Sequence, residues 1–258
     1  MYPDPDMHSP PQDLLKTGSL REQSPLLFWG STLFIVILLG IVFVSLVQNA
    51  RLAARRSRSN CSLKQIGMAA FNFEDIKGDL PPHSITDPAG VPLHSWCTEL
   101  LPYMDASKLY LSIDQSKAWN HPDNAEYFKT PIGSYSTCGN DYKFSPSGYA
   151  LSLYSANSRL LKVNKVTPRE SITDGSSNTL LFGEIGAAQP PWGEPGNVRD
   201  PAAGLGKSAT TFGGLFKGST QFTFADGSVR AISNDIDPAI LKALATPDAG
   251  DDLKEYVP

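Results

Sequence analysis

Between Leu26 and Val47 the chain carries no charged residue, and Leu, Ile, Val and Phe dominate the run. At about 1.5 Å per residue such a stretch, as a helix, spans about 33 Å, close to the roughly 30 Å hydrocarbon core of a bilayer. Trp29 sits near one end, where an indole favours the lipid–water interface. A buried core helix and a cleaved signal peptide are the competing readings. Core helices are seldom so uniformly apolar, and a signal peptide's apolar region is only about 7–15 residues long. The leader before the run is also long, and no A-x-A site follows it. The expectation is an uncleaved single-pass anchor, with the lipid bilayer as its first partner.

That anchor organises the rest. Residues 1–24 hold four prolines, scattered charges and no apolar periodicity, and read as a disordered tail. After the anchor, Leu52, Leu63, Ile66, Ala70, Phe73 and Ile76 recur at helical spacings, and neither Pro nor Gly interrupts the chain from Ile41 to Ile66. The spacing predicts one helix from about Leu26 to Ile76, about 75 Å long, stopped by Pro81-Pro82. The predicted layout is a tail (1–24), a transmembrane helix (25–48), a helical spine (49–80) and a β-rich domain (81–258). Within the last, "SWCTELLPYM" reads as a short helix with Leu100, Leu101 and Met104 inward, and "NTLLFGEI" as a strand. "GYALSLYS" and "RLLKVNKV" alternate weakly. "QFTFADGSVRAIS" is a hairpin pattern around Asp226-Gly227, and "DPAILKALAT" a helix with Asp237 as N-cap and Pro238 at its first position. The fold class is α+β, a long N-terminal helix packed on a mostly antiparallel sheet.

Composition narrows the function. A net charge of −4 gives no basic excess to neutralise phosphates, so no nucleic-acid partner is expected. Three cysteines are too few for a disulfide scaffold. His83, His94 and His121 show no short metal spacing, and no G-x-S-x-G elbow is present. Ser176 and Ser177 in "DGSSNT" read as turn residues rather than nucleophiles. The expectation is a non-enzymatic protein with no cofactor. Glu184 closes an apolar strand, with Arg230 a candidate ion-pair partner. Trp192, in the proline-stiffened loop "AAQPPWGEPGN", either stacks on a ligand or packs on its own domain.

Five ordered stretches carry a resemblance. "NARLAARRSRSNCSLKQIGMAAFNFEDIKGDLPP", "HSWCTELLPYMD", "TPIGSYSTC", "ITDGSSNTLLFGE" and "FADGSVRAIS" resemble segments of a prepilin-like family abundant in planctomycete bacteria, the domain of unknown function 1559 family. The resemblance marks Asp174, Gly175, Asn178, Glu184, Asp226 and Gly227 as motif positions and implies a pilin-like fold. It also implies a pseudopilin-like structural or assembly role, with partners in a secretion or pilus-like machinery. It places Cys61 and Cys138 where a disulfide could tie helix to sheet, while Cys97 could pair with Cys138 instead. By likeness to pseudopilins, Asp248, Asp251, Asp252 and Glu255 are weak Ca²⁺ candidates, although they lack EF-hand spacing and a solvated acidic tail accounts for them. The alternative role is a tethered module binding an extracytoplasmic glycan or peptide, with Trp192 as its surface.

Two departures stand out. Counting back from Val47, Gln23 and Phe28 take the places of the prepilin cleavage glycine and glutamate, and the family's H-x9-DG histidine is Phe216 here. Orientation is contested as well. Arg51, Arg55, Arg56, Arg58 and Lys64 follow the anchor, whereas only Lys16 and Arg21 precede it. Charge alone places the domain in the cytoplasm, while the resemblance implies export from the bacterial inner membrane. Arginines that grip headgroups reconcile the second with the sequence, and the exported orientation is the expectation.

Overall fold

The computed structural model describes residues 25–136 and 143–250. The chain divides into two units, Met1–Arg51 and Leu52–Pro258. In the first, the described residues are helical, and Leu33, Phe34, Ile37, Leu39, Ile41 and Phe43 are all exposed. They belong to helix α1 (Pro25–Lys77), which is long and apolar enough to cross a membrane. The second unit contains the end of α1 and everything after it.

Lys77 in the last turn complements the helix dipole. Gly78, at φ +89°, then donates its N–H to the Glu74 carbonyl at 2.7 Å, so a left-handed glycine cap ends the helix before Pro81-Pro82 is reached. β1 (Asp79–Leu80), β2 (Ser84–Thr86) and β3 (Pro92–Ser95) follow, then α2 (Trp96–Leu100), α3 (Ser107–Ser112) and α4 (Pro122–Ala125). Next come β4 (Tyr154–Asn157), β5 (Thr167–Pro168), β6 (Leu180–Glu184), β7 (Val198–Arg199), β8 (Ser219–Phe224), β9 (Val229–Ser233) and α5 (Pro238–Ala245). The main sheet runs in the order β7-β4-β6-β8-β9, antiparallel except for the β4–β7 pair. The expected α+β arrangement of a long helix and a mostly antiparallel sheet is present.

Side-chain alternation gives the sheet two apolar faces. One packs on α1 through Leu63, Ile66, Ala69, Ala70 and Phe73, together with Trp96, Phe182 and Trp192. The other joins Phe212, Phe222, Phe224 and Ile232 to Leu241 and Leu244 of α5. Burying each large apolar side chain contributes about 2 kcal/mol. The helical stripe is shorter than its spacing predicted: Leu52 and Ile76 are 41% and 71% exposed. Glu74 takes the inward slot near the helix end and pairs with Arg169 at 2.9 Å.

Two glycines set the closest approaches. Gly67 faces the sheet, and a Cβ built there would lie 2.7 Å from Thr223 Cγ2. A Cβ on Gly186 would meet the Gly214 backbone at 2.3 Å. The loops around β7 are held by Arg199, whose guanidinium donates to the carbonyls of Ala187, Ala188 and Ala209 at 2.7, 3.0 and 2.9 Å, and to that of Thr211. The stretch "RLLKVNKV" forms isolated bridges and turns rather than a strand, because Ser84 and Asn164 tie it to β2.

Candidate functional site

The seam between residues 56–74 of α1 and the sheet concentrates the buried polar chemistry of the second unit. Its geometry starts from helix carbonyls. Those of Arg56 and Leu63 accept second hydrogen bonds from Gln221 Nε2 and Thr223 Oγ1, both at 3.0 Å. Arg56 itself donates to the Lys217 carbonyl at 3.1 Å, and its guanidinium lies 5.7 Å from the Phe216 ring centroid. Phe216 is therefore an apolar seat for an arginine stem and head. Farther along, Arg169 lies 5.1 Å from the Phe71 ring while it holds Glu74.

Glu184 lies at the centre of the seam, fully buried at the end of β6. Its carboxyl accepts from Ser59 Oγ on α1 and from the Gln221 backbone N–H at 2.9 Å. Ser59 Oγ is also 3.1 Å from the Tyr154 hydroxyl on β4. Burial pushes the Glu184 carboxyl up to about 7, against the opposing pull of Ser59, the Gln221 N–H and Arg56. The expected partner, Arg230, is elsewhere: it sits 4.3 Å from the Phe224 ring and 3.6 Å from Asp226. The pleat explains the correction. Arg230 is register partner to Phe222, which belongs to the α5-side core, whereas Glu184 points to the α1 side.

The remaining motif residues form a second, structural cluster. Asp174 accepts from the backbone N–H groups of Ala249 and Gly250 at 2.8 and 2.9 Å, and its own N–H donates to the Pro247 carbonyl at 3.1 Å. Gly175 turns at φ +94°, and Asn178 Nδ2 donates to the Asp174 carbonyl at 3.1 Å. In the hairpin, Asp226 caps the Ser228 N–H at 2.8 Å and Gly227 sits at φ +80°, as a tight turn requires. The two motifs also touch, since the Asp226 N–H donates to the Ser176 carbonyl at 3.1 Å. Ser176 and Ser177 lie in a 3₁₀ turn. These motif positions are thus joints between chain segments.

Other expected site residues fall differently. Trp192 is fully buried, stacked on Phe128 at 4.4 Å and donating to the Thr130 carbonyl at 3.0 Å. The proposed ligand surface is therefore interior, because Gly193 lets the loop press onto the Phe128 ring. His94 is buried against Phe128, and burial lowers its basicity. His121 accepts the Asp123 N–H at the start of α4. Among the described residues, no group of three or more His, Cys, Asp or Glu could hold a metal ion. Asp248 is exposed; Asp251, Asp252 and Glu255 lie outside the described residues, as does the tail of residues 1–24. Cys61 is exposed on α1, and Cys138 lies outside the described residues, so the expected bridge does too. The neighbouring Ser62 donates to the Ser136 carbonyl at 2.6 Å. Cys97, the alternative partner, is wholly buried, and desolvation holds its thiol far above its ordinary range.

Ser59, Tyr154, Gln221 and Thr223 escaped the sequence reading. The one available signal was a glutamate within the apolar run "LLFGEI", which marks a buried carboxyl without naming its partners. No curated protein and no solved structure gives a significant match to the chain. Residues 48–159, from α1 through β4, match the model of the family described as "Protein of unknown function (DUF1559)", and over that stretch the chain is similar to it.

Proposed function

We propose that this chain is a non-enzymatic, membrane-anchored assembly protein of pseudopilin-like type. It crosses the bacterial cytoplasmic membrane once and carries its second unit on the outer side. The supporting observation is that one helix supplies both an exposed apolar span and the buried stripe of Leu63, Ile66, Ala70 and Phe73. The later part of that helix belongs to the second unit's own core. The match of residues 48–159 to a family of unknown function leaves the role open, and the pseudopilin-like part of the reading rests on the sequence resemblance. Its partners in this reading are the bilayer and proteins of a secretion or pilus-like machinery, with no nucleic acid.

Two measurements test it. A cysteine placed at Leu111, 81% exposed, should react with a membrane-impermeant maleimide in intact cells. Labelling only after permeabilisation would reverse the orientation. Replacing Leu39 and Phe43 by alanine should abolish oligomers on native gels in mild detergent. A wild-type chain that migrates only as a monomer would remove the assembly role.

A further inference from the structure

Glu184 is buried where an ion pair would be expected and is not made. Among the described residues no ion pair includes it. The groups that face it can be taken element by element. From α1 come Ser59 and Arg56, and the Arg56 guanidinium is committed to the Lys217 carbonyl and the Phe216 ring. From β4 comes the Tyr154 phenol, which reaches Glu184 through Ser59. β8 offers a neutral backbone N–H from Gln221, and the segment before β8 offers Gly213, whose N–H donates to the Glu184 carbonyl at 2.7 Å. Lys217 meets Arg56 through its backbone, while its ammonium is exposed.

This donor set suits the neutral acid. A carboxylic O–H can donate to Ser59 Oγ, Ser59 can donate onward to Tyr154, and the other carboxyl oxygen keeps the Gln221 N–H. The ionised form holds a charge in a dry seam with two neutral donors and no cation in contact. We propose that Glu184 is a proton-operated latch: the neutral acid seats residues 56–63 of α1 on the sheet, and loss of the proton loosens that stretch.

The direction follows from linkage. A glutamate freed by opening titrates near 4.3, while burial holds Glu184 up to about 7. The closed seam therefore binds the proton more tightly than the open one. The latch is fully engaged below about pH 4.3 and is lost as pH rises through about 7. Between those limits opening becomes about tenfold more frequent per pH unit.

Hydrogen exchange on the full chain in detergent, corrected for intrinsic rates, reads this directly. Protection of residues 56–63 should be on the order of 50-fold higher at pH 5.0 than at pH 7.5. α5, on the opposite face of the sheet, should not share the change. Glu184→Gln, which keeps an acceptor for the Gln221 N–H and a donor for Ser59, should abolish it. Should Glu184→Gln not fold, Ser59→Ala retains the titrating acid. Ser59 bonds both forms, but its bond to the charged carboxylate is the stronger, so its loss should then move the midpoint to higher pH. pH-independent protection in the wild type, an unchanged midpoint in Ser59→Ala, a pH effect surviving in Glu184→Gln, or an equal change in α5 would overturn the latch.

Discussion

Gly67→Ala tests whether α1 is seated as closely as the structure places it. In a free helix this change stabilises by about 1 kcal/mol, because glycine is a poor helix former. Here the added Cβ would lie 2.7 Å from Thr223 Cγ2, well inside the 3.5–4.0 Å of ordinary carbon contact. Thr223 cannot swing aside freely, since it is β-branched and its hydroxyl donates to the Leu63 carbonyl at 3.0 Å. Overpacking of this kind costs about 1–3 kcal/mol. The two effects leave a net loss of about 1 kcal/mol, or a Tm drop of about 2–4 °C for a unit of this size. Thr223→Ser removes the clashing methyl and keeps the hydroxyl bond. The double variant should therefore be more stable than the sum of the singles by about 1 kcal/mol or more. Urea unfolding in mild detergent, followed by fluorescence of the buried Trp96 and Trp192, measures all four corners of the cycle. A Gly67→Ala chain that gains about 1 kcal/mol, with no coupling to position 223, would refute the close seam.

Other perturbations have defined outcomes. Asp174→Ala removes the acceptor for two backbone N–H groups and should cost about 1–3 kcal/mol, with earlier proteolytic release of the segment after Pro247. Ala188 sits at φ +46°, so Ala188→Gly should relieve left-handed strain and stabilise by about 1 kcal/mol in the same urea assay. His94 is buried neutral and its basicity is lowered, so the unfolded chain binds its proton more readily. Stability from this group is complete above its ordinary value of about 6.5 and falls as pH drops below it. The slope should shrink in His94→Phe and shrink further when His83, whose basicity burial also lowers, is replaced as well, read in a Glu184→Gln background so that the opposite dependence of Glu184 is absent.

What could be read from sequence was local. The uncharged run, the Asp226-Gly227 turn and the Asp237-Pro238 start of α5 depend on residues within a few positions, and each is present with its expected geometry. The partners of Glu184 could not be read, because Ser59 lies 125 positions away and meets it only once sheet and helix are packed. Trp192 shows the same limit. Of the two readings its loop allowed, packing on its own domain is the one present, and the rings that meet it, Phe128 and Tyr135, come from a distant segment. The irregular backbone near β7 carries little periodic signal, since a single arginine bonding to four carbonyls replaces ladder pairing there. Motif positions such as Asp174 were visible as positions, and their work as joints emerged only from what they bond.

The bond from Thr223 to the Leu63 carbonyl joins residues 160 positions apart. At about 5–20 residues per second, a ribosome needs roughly 8–30 s to supply the second after the first. Throughout that interval the Arg56 and Leu63 carbonyls and Gly67 lack the β8 residues that meet them. Trp96, Leu100 and Tyr103 arrive early enough to cover part of the α1 stripe, but the sheet side of Gly67 stays open until Thr223 is made, so biogenesis favours whatever shelters that face, whether a chaperone or the lipid surface itself.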